Sequence, residues 1–96
     1  MRPSQTLAAQ RDRVLALAVA RGADRVRVFG SVARENDHEG SDIDLLVDVP
    51  PGTSLLHLVG LQLDTEEALG IKVDLCTESE LHPALKARVL AEARPL

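Results

Sequence analysis

Three short stretches of this sequence alternate so regularly that they dictate a sheet with two unlike faces. They are DRVRVFG at Asp24–Gly30, IDLLVDV at Ile43–Val49 and IKVDLCT at Ile71–Thr77. Side chains on a strand point to opposite faces in turn. In the second stretch Ile43, Leu45, Val47 and Val49 fall on one side, and Asp42, Asp44, Leu46 and Asp48 on the other. In the third, Ile71, Val73 and Leu75 oppose Lys72, Asp74 and Cys76; in the first, Val26 and Val28 oppose Arg25, Arg27 and Phe29. Each strand therefore offers an apolar side for helices to cover and a charged side that is left open.

The segments around these strands read as helices. From Ser4 to Arg21, Ala8, Val14, Leu15, Leu17 and Ala18 lie mostly opposite Gln10, Arg11, Arg13 and Arg21, and Gly22 stops the run. Ser31 to Arg34 is one helical turn, followed by the polar loop ENDHEGS. After Pro50, Pro51 and Gly52, Thr53 or Ser54 caps a helix that reaches Leu69 and stops at Gly70. A last helix runs from Pro83 to Ala93, with Pro in its first turn. The order is α-β-β-α-β-α. Strand two, helix and strand three form a β-α-β unit, so those strands should be parallel with a right-handed crossover. Strands one and two can run antiparallel. The expectation is an α/β (α+β) domain with a small mixed three-stranded sheet and helices on one face. At 96 residues it is a single domain spanning residues 1–96.

Composition narrows the function. The net charge is −4, with one Phe, no Tyr and no Trp. A protein that tracks a phosphate backbone needs a basic stripe, and one that reads single strands uses stacking aromatics. Extended nucleic acid is thereby disfavoured, while one nucleotide held through a metal is not. The lone Cys76 rules out an internal disulfide and fits a reducing compartment. No apolar run approaches the length of about eighteen residues that a membrane helix needs, so a cytoplasmic protein without membrane contact is expected.

The chemistry lies on the charged side of the sheet. Asp42 and Asp44 share a face and sit roughly 6.5–7 Å apart along the strand, so they can converge on one ion or a pair of ions. Asp74 supplies a third oxygen donor if strands two and three pair. Asp48 shares the face but lies roughly 13 Å beyond Asp44, which makes it the weaker candidate. Three carboxylates without His or Cys ligands suit Mg²⁺ rather than zinc. Gly30 ends the first strand and lets backbone approach a ligand closely. Ser31 opens a helical turn whose free N–H groups and hydroxyl favour an anion, and Arg34, one turn on, can reach the same phosphates.

Other residues weigh less. Ser31 is no hydrolase nucleophile, because G-x-S-x-G is absent. His38 reads as a solvated loop residue, His57 and His82 as helix-surface or helix-start residues, and Cys76 as a small filler. Lys72 reads equally as a solvated charge or a phosphate contact.

GSVAR, SDIDLLV and KVDL together resemble the signature of the polymerase-β-type nucleotidyltransferases, and specifically the minimal nucleotidyltransferases of bacteria and archaea. The closing LHPALKARVLAEARPL is similar to that family's terminal helix and its EA-x-P-L ending. Many members carry Gly after the motif Arg, where this chain has Glu35. The resemblance implies the nucleotidyltransferase fold. Gly30 and Ser31 would hold the triphosphate of ATP, Asp42 and Asp44 would bind two Mg²⁺ ions, and Asp74 would complete the catalytic ion. It further implies a HEPN-domain toxin as partner, AMP transfer to a tyrosine of that toxin, and an antitoxin role in a type VII-like toxin–antitoxin pair. Two rival readings stand beside it: an antitoxin that neutralises by contact alone, and a transferase acting on a small hydroxylated molecule. Transferases of the latter kind usually add a helical domain. The helix Leu55–Leu69, apolar almost all round in its first half, is either deeply buried or in contact with another chain, and the small size of the domain favours the second.

Overall fold

In the computed structural model, which describes residues 1–96, the alternating stretches form strands joined by helices. The chain runs α1 (Pro3–Ala9), α2 (Arg11–Ala20), β1 (Arg25–Phe29), α3 (Gly30–Ala33), β2 (Ile43–Asp48), α4 (Leu55–Leu69), β3 (Val73–Cys76), α5 (Pro83–Glu92) and β4 (Arg94–Pro95). A 3-10 turn at Glu78–Glu80 lies between β3 and α5. β1 pairs antiparallel with β2, placing Phe29 opposite Asp44. β2 pairs parallel with β3, placing Asp44 opposite Asp74. The apolar sides meet the helices as expected: Val26, Val28, Ile43, Leu45, Val47 and Val73 form one core with Val14, Ala18, Leu61 and Leu69. No helix is long and apolar enough to cross a membrane.

The sheet has four strands, not three, in the order β3-β2-β1-β4. β4 pairs antiparallel with β1, Val28 opposite Arg94 and Arg27 opposite Pro95, and the Leu96 N–H donates to the Val26 carbonyl at 3.1 Å. A strand of two residues carries no alternation to read. Its proline is tolerated because an edge strand need not donate outward.

The helix expected over Ser4–Arg21 is two helices that meet at Gln10, whose φ of −107° and ψ of 15° bend the chain. The Gln10 N–H still donates to Thr6 and its carbonyl still accepts from Val14, each at 3.0 Å. The bend directs α1 towards α3 and α2 towards α4, so that Leu7, Val14 and Ala18 are all buried. Tertiary packing sets it; no Gly or Pro marks the place.

α4 is set up as its sequence dictates. The Ser54 hydroxyl accepts from the Leu56 N–H at 3.1 Å, and Gly70 ends the helix in the left-handed conformation, φ 67°. Two of its side chains then reach the outer edge of β3. Glu66 accepts from the Val73 N–H at 2.9 Å, and Gln62 from the Leu75 N–H at 3.3 Å. These bonds seat β3, and with it Asp74.

The charged side of the sheet is less open than expected. Leu46, on that side, is fully buried. Beside it Arg27 is buried too, donating to Asp48 at 3.1 Å and to Glu78 of the 3-10 turn at 3.4 Å. At the other end of the face, Glu92 of α5 reaches the turn after β1. The helices are thus not confined to one face: the 3-10 turn and the end of α5 border the other, and the aspartates occupy what is left between them.

Candidate active site

Gly30, at the junction of β1 and α3, has φ 73°, a conformation that side-chain-bearing residues avoid. A Cβ there would run into the Asp44 carboxylate, whose Cγ would stand only 3.2 Å away. The glycine is therefore required twice, by the turn and by the neighbour it lets in. Ser31 follows at once in α3. Asp42 immediately precedes β2, and Asp74 lies in register with Asp44 on the same face. Gly30, Ser31, Asp42, Asp44 and Asp74 are thus brought together.

Asp44 reports the charge of this cluster. Burial, then the neighbouring charges of Asp74 and Asp42, push its pKa from 3.8 up to about 6, against a smaller lowering by Arg34; Glu92 adds to the rise. Lys72 Nζ, 3.9 Å from Asp42 Oδ2, is the nearest lysine partner of the group. Cys76 is close enough to feel the same field. Burial first, then Glu80, Asp44 and Asp74, raise its thiol to about 11. It is a neutral group at pH 7.

The donor set fits a hard divalent cation: oxygens only, converging from two adjacent strands, in mutual repulsion that a cation would relieve. No three acidic, His or Cys side chains already stand close enough to hold an ion as they are. The carboxylates thus share one face of the sheet without forming a finished coordination sphere.

The remaining candidates fall into place individually. Arg34 is at the site, but its Nη1 donates to Glu92 Oε2 at 2.9 Å. Asp48 belongs to the Arg27 cluster and pairs with Arg25 at 3.8 Å, away from the other aspartates. His38 sits in an exposed loop with Nδ1 2.9 Å from the Glu39 carbonyl. His82 caps α5, its Nδ1 accepting from the Ala84 N–H at 3.1 Å. Glu35 takes the left-handed conformation, φ 59°, that a glycine would fill without strain. The backbone after the motif Arg thus takes a conformation that suits glycine, although the residue is Glu.

Glu92 is the site neighbour that the sequence reading left out. Its carboxylate accepts from the Gly30 N–H at 3.2 Å across 62 positions of chain, a separation no local pattern can reveal. Its only trace in the sequence is its place in the family-like ending. The largest cavity, about 440 Å³, lies at the far end of β2 beside Asp48, Thr53 and Glu78. Charge and register, not depth, define the site.

Known proteins with this architecture agree. The model of the nucleotidyltransferase domain matches residues 11–96. "Putative protein adenylyltransferase MJ0435" of Methanocaldococcus jannaschii is 44% identical over 81 residues, covering 84% of this chain and 87% of the relative. A solved structure described as "putative minimal nucleotidyltransferase" superposes with a TM-score of 0.86 at 49% identity, over 97% of this chain and 95% of that one. A chain of a toxin–antitoxin complex with AMP-PNP shares the fold at a TM-score of 0.76 and 21% identity, over 88% of this chain and 69% of that one. This chain belongs to the nucleotidyltransferase family. Within it, the match over nearly its whole length places it with the minimal nucleotidyltransferases.

Proposed function

We propose that this protein is a Mg²⁺-dependent nucleotidyltransferase that moves AMP from ATP to a tyrosine hydroxyl of a partner HEPN-type toxin in the cytoplasm, and so acts as its antitoxin. The observation that carries the reading is Asp44 in register with Asp74 and pressed against the Gly30 turn. A relative described as a "putative protein adenylyltransferase" and a toxin–antitoxin complex with AMP-PNP among the similar folds support a protein acceptor and a toxin partner.

The acceptor oxygen attacks the α-phosphorus in line, the bond to the bridging oxygen breaks, and pyrophosphate leaves. Ser31 and the turn at Gly30 would bind the phosphates, with Arg34 beside them; Asp42 and Asp44 would hold the metals, and Asp74 would complete the set and favour loss of the acceptor's proton. Mg²⁺ held there would lower the acceptor's pKa and screen the leaving phosphates. The rest is alignment of reacting groups and charge compensation.

Labelled AMP should pass from ATP to the partner in the presence of Mg²⁺, and Asp44→Asn should abolish it. Mass spectrometry of the co-purified partner should find an added adenylyl group on tyrosine. Its absence, with label on a small molecule, would favour the small-acceptor reading. The contact-only reading has an observation of its own. Leu55, Leu56, Val59 and Leu63 are 68, 79, 46 and 58% exposed along the outer side of α4, an apolar row that suits a protein partner. Full protection of cells by Asp44→Asn would decide for contact alone.

A further inference from the structure

Glu92 stands where helix electrostatics gives no reason for an acid. It is the last residue of α5, where a negative charge opposes the helix macrodipole. It also adds like charge beside Asp44. What holds it there is a divided contact. Oε1 accepts from the Gly30 N–H at 3.2 Å and Oε2 from Arg34 Nη1 at 2.9 Å. Burial would raise its pKa, but the Arg34 and Gly30 hydrogen bonds, with the charges of Arg34 and Arg88, keep it below the usual carboxylate value. The reach of Glu92 is fixed from behind. Two residues on, Arg94 pairs with Val28 in β1, just ahead of Gly30.

We propose that Glu92 is the positioning residue of the phosphate site, one carboxylate that locks the Gly30 turn and the Arg34 guanidinium in a single orientation. The inference rests on the reading that this turn and Arg34 bind the triphosphate. Arginine has five N–H donors, and Glu92 engages Nη1 alone, so the other nitrogens can face the ligand. The Gly30 N–H is consumed internally, which leaves the following N–H groups and the Ser31 hydroxyl to the phosphates. A glutamine could not replace it, because its NH₂ would confront one of the two donors.

The test is calorimetric titration of the whole chain with AMP-PNP and Mg²⁺, using wild type, Glu92→Gln, Arg34→Ala and the double variant. Glu92→Gln should weaken binding about tenfold, the scale of one charge-assisted hydrogen bond. The double variant should lose less than the two single losses added together, because the Arg34 half of the divided contact is already gone in Arg34→Ala. Glu92→Asp, which keeps the charge but not the reach, should lose affinity like Glu92→Gln. A merely structural defect would add to the Arg34→Ala loss instead. Additive losses overturn the proposal, as does unchanged affinity in Glu92→Gln. Tighter binding in Glu92→Gln also overturns it, since Glu92 would then be a competitor for the phosphates. Wild type that binds no nucleotide overturns the reading of the site itself, and this role with it.

Discussion

Asp44 carries the tension of the site in a measurable form. Its carboxyl has an ordinary value of 3.8 and sits at about 6 in the folded chain. Between those values the folded state holds more protons than the unfolded one, so this group's contribution to stability falls as pH rises through the window. Melting of the metal-free protein should therefore show an Asp44-dependent loss between about pH 4 and 6. Asp44→Asn should remove that loss, and Mg²⁺ should reverse it at pH 7 in wild type only. Glu35 makes a second prediction at this scale. A non-glycine residue in the left-handed region costs about 1–2 kcal/mol. Glu35→Gly relieves that cost but frees the unfolded chain, so chemical denaturation should register a net gain of about 0.5–1 kcal/mol. The proximity of Asp42, Asp44 and Asp74 was legible from alternation and one inferred strand pairing. The collision awaiting any Cβ at Gly30 was not, since it depends on how closely β1 and β2 approach at one point.

Among the elements, β1, β2 and β3 were legible because one side of each is apolar and the other is not. α4 was legible from Ser54 and Gly70 at its ends. The bend at Gln10 and the pairing of β4 were not, because both are imposed by packing on stretches with no punctuation or period of their own. β3 depends on α4 for more than burial. Its outward N–H groups at Val73 and Leu75 are answered by Glu66 and Gln62. Glu66→Ala should cost about 1–2 kcal/mol by leaving one part-buried N–H unanswered. Hydrogen exchange should locate the loosening, with faster exchange at Val73 and Leu75 than at Val26 or Val28. Uniform change across the sheet would contradict this account of β3.

For the whole molecule, the apolar row of α4 separates stability from association. Leu56 is 79% exposed and stands outside the core. Leu56→Asp should change folding stability by no more than about 0.5 kcal/mol. Co-purification with the proposed toxin partner should fall sharply, while nucleotide binding stays as in wild type. Retained co-purification would move the contact surface elsewhere.

The answered edge of β3 has a consequence for how any such complex forms. With Glu66 and Gln62 engaging its outer amides, and Pro95 on the opposite margin of the sheet, neither border offers a free ladder for another protein's backbone to extend. Sheet extension is thereby disfavoured and recognition shifts to side chains, so a companion protein and this one can diverge or re-match by point substitutions.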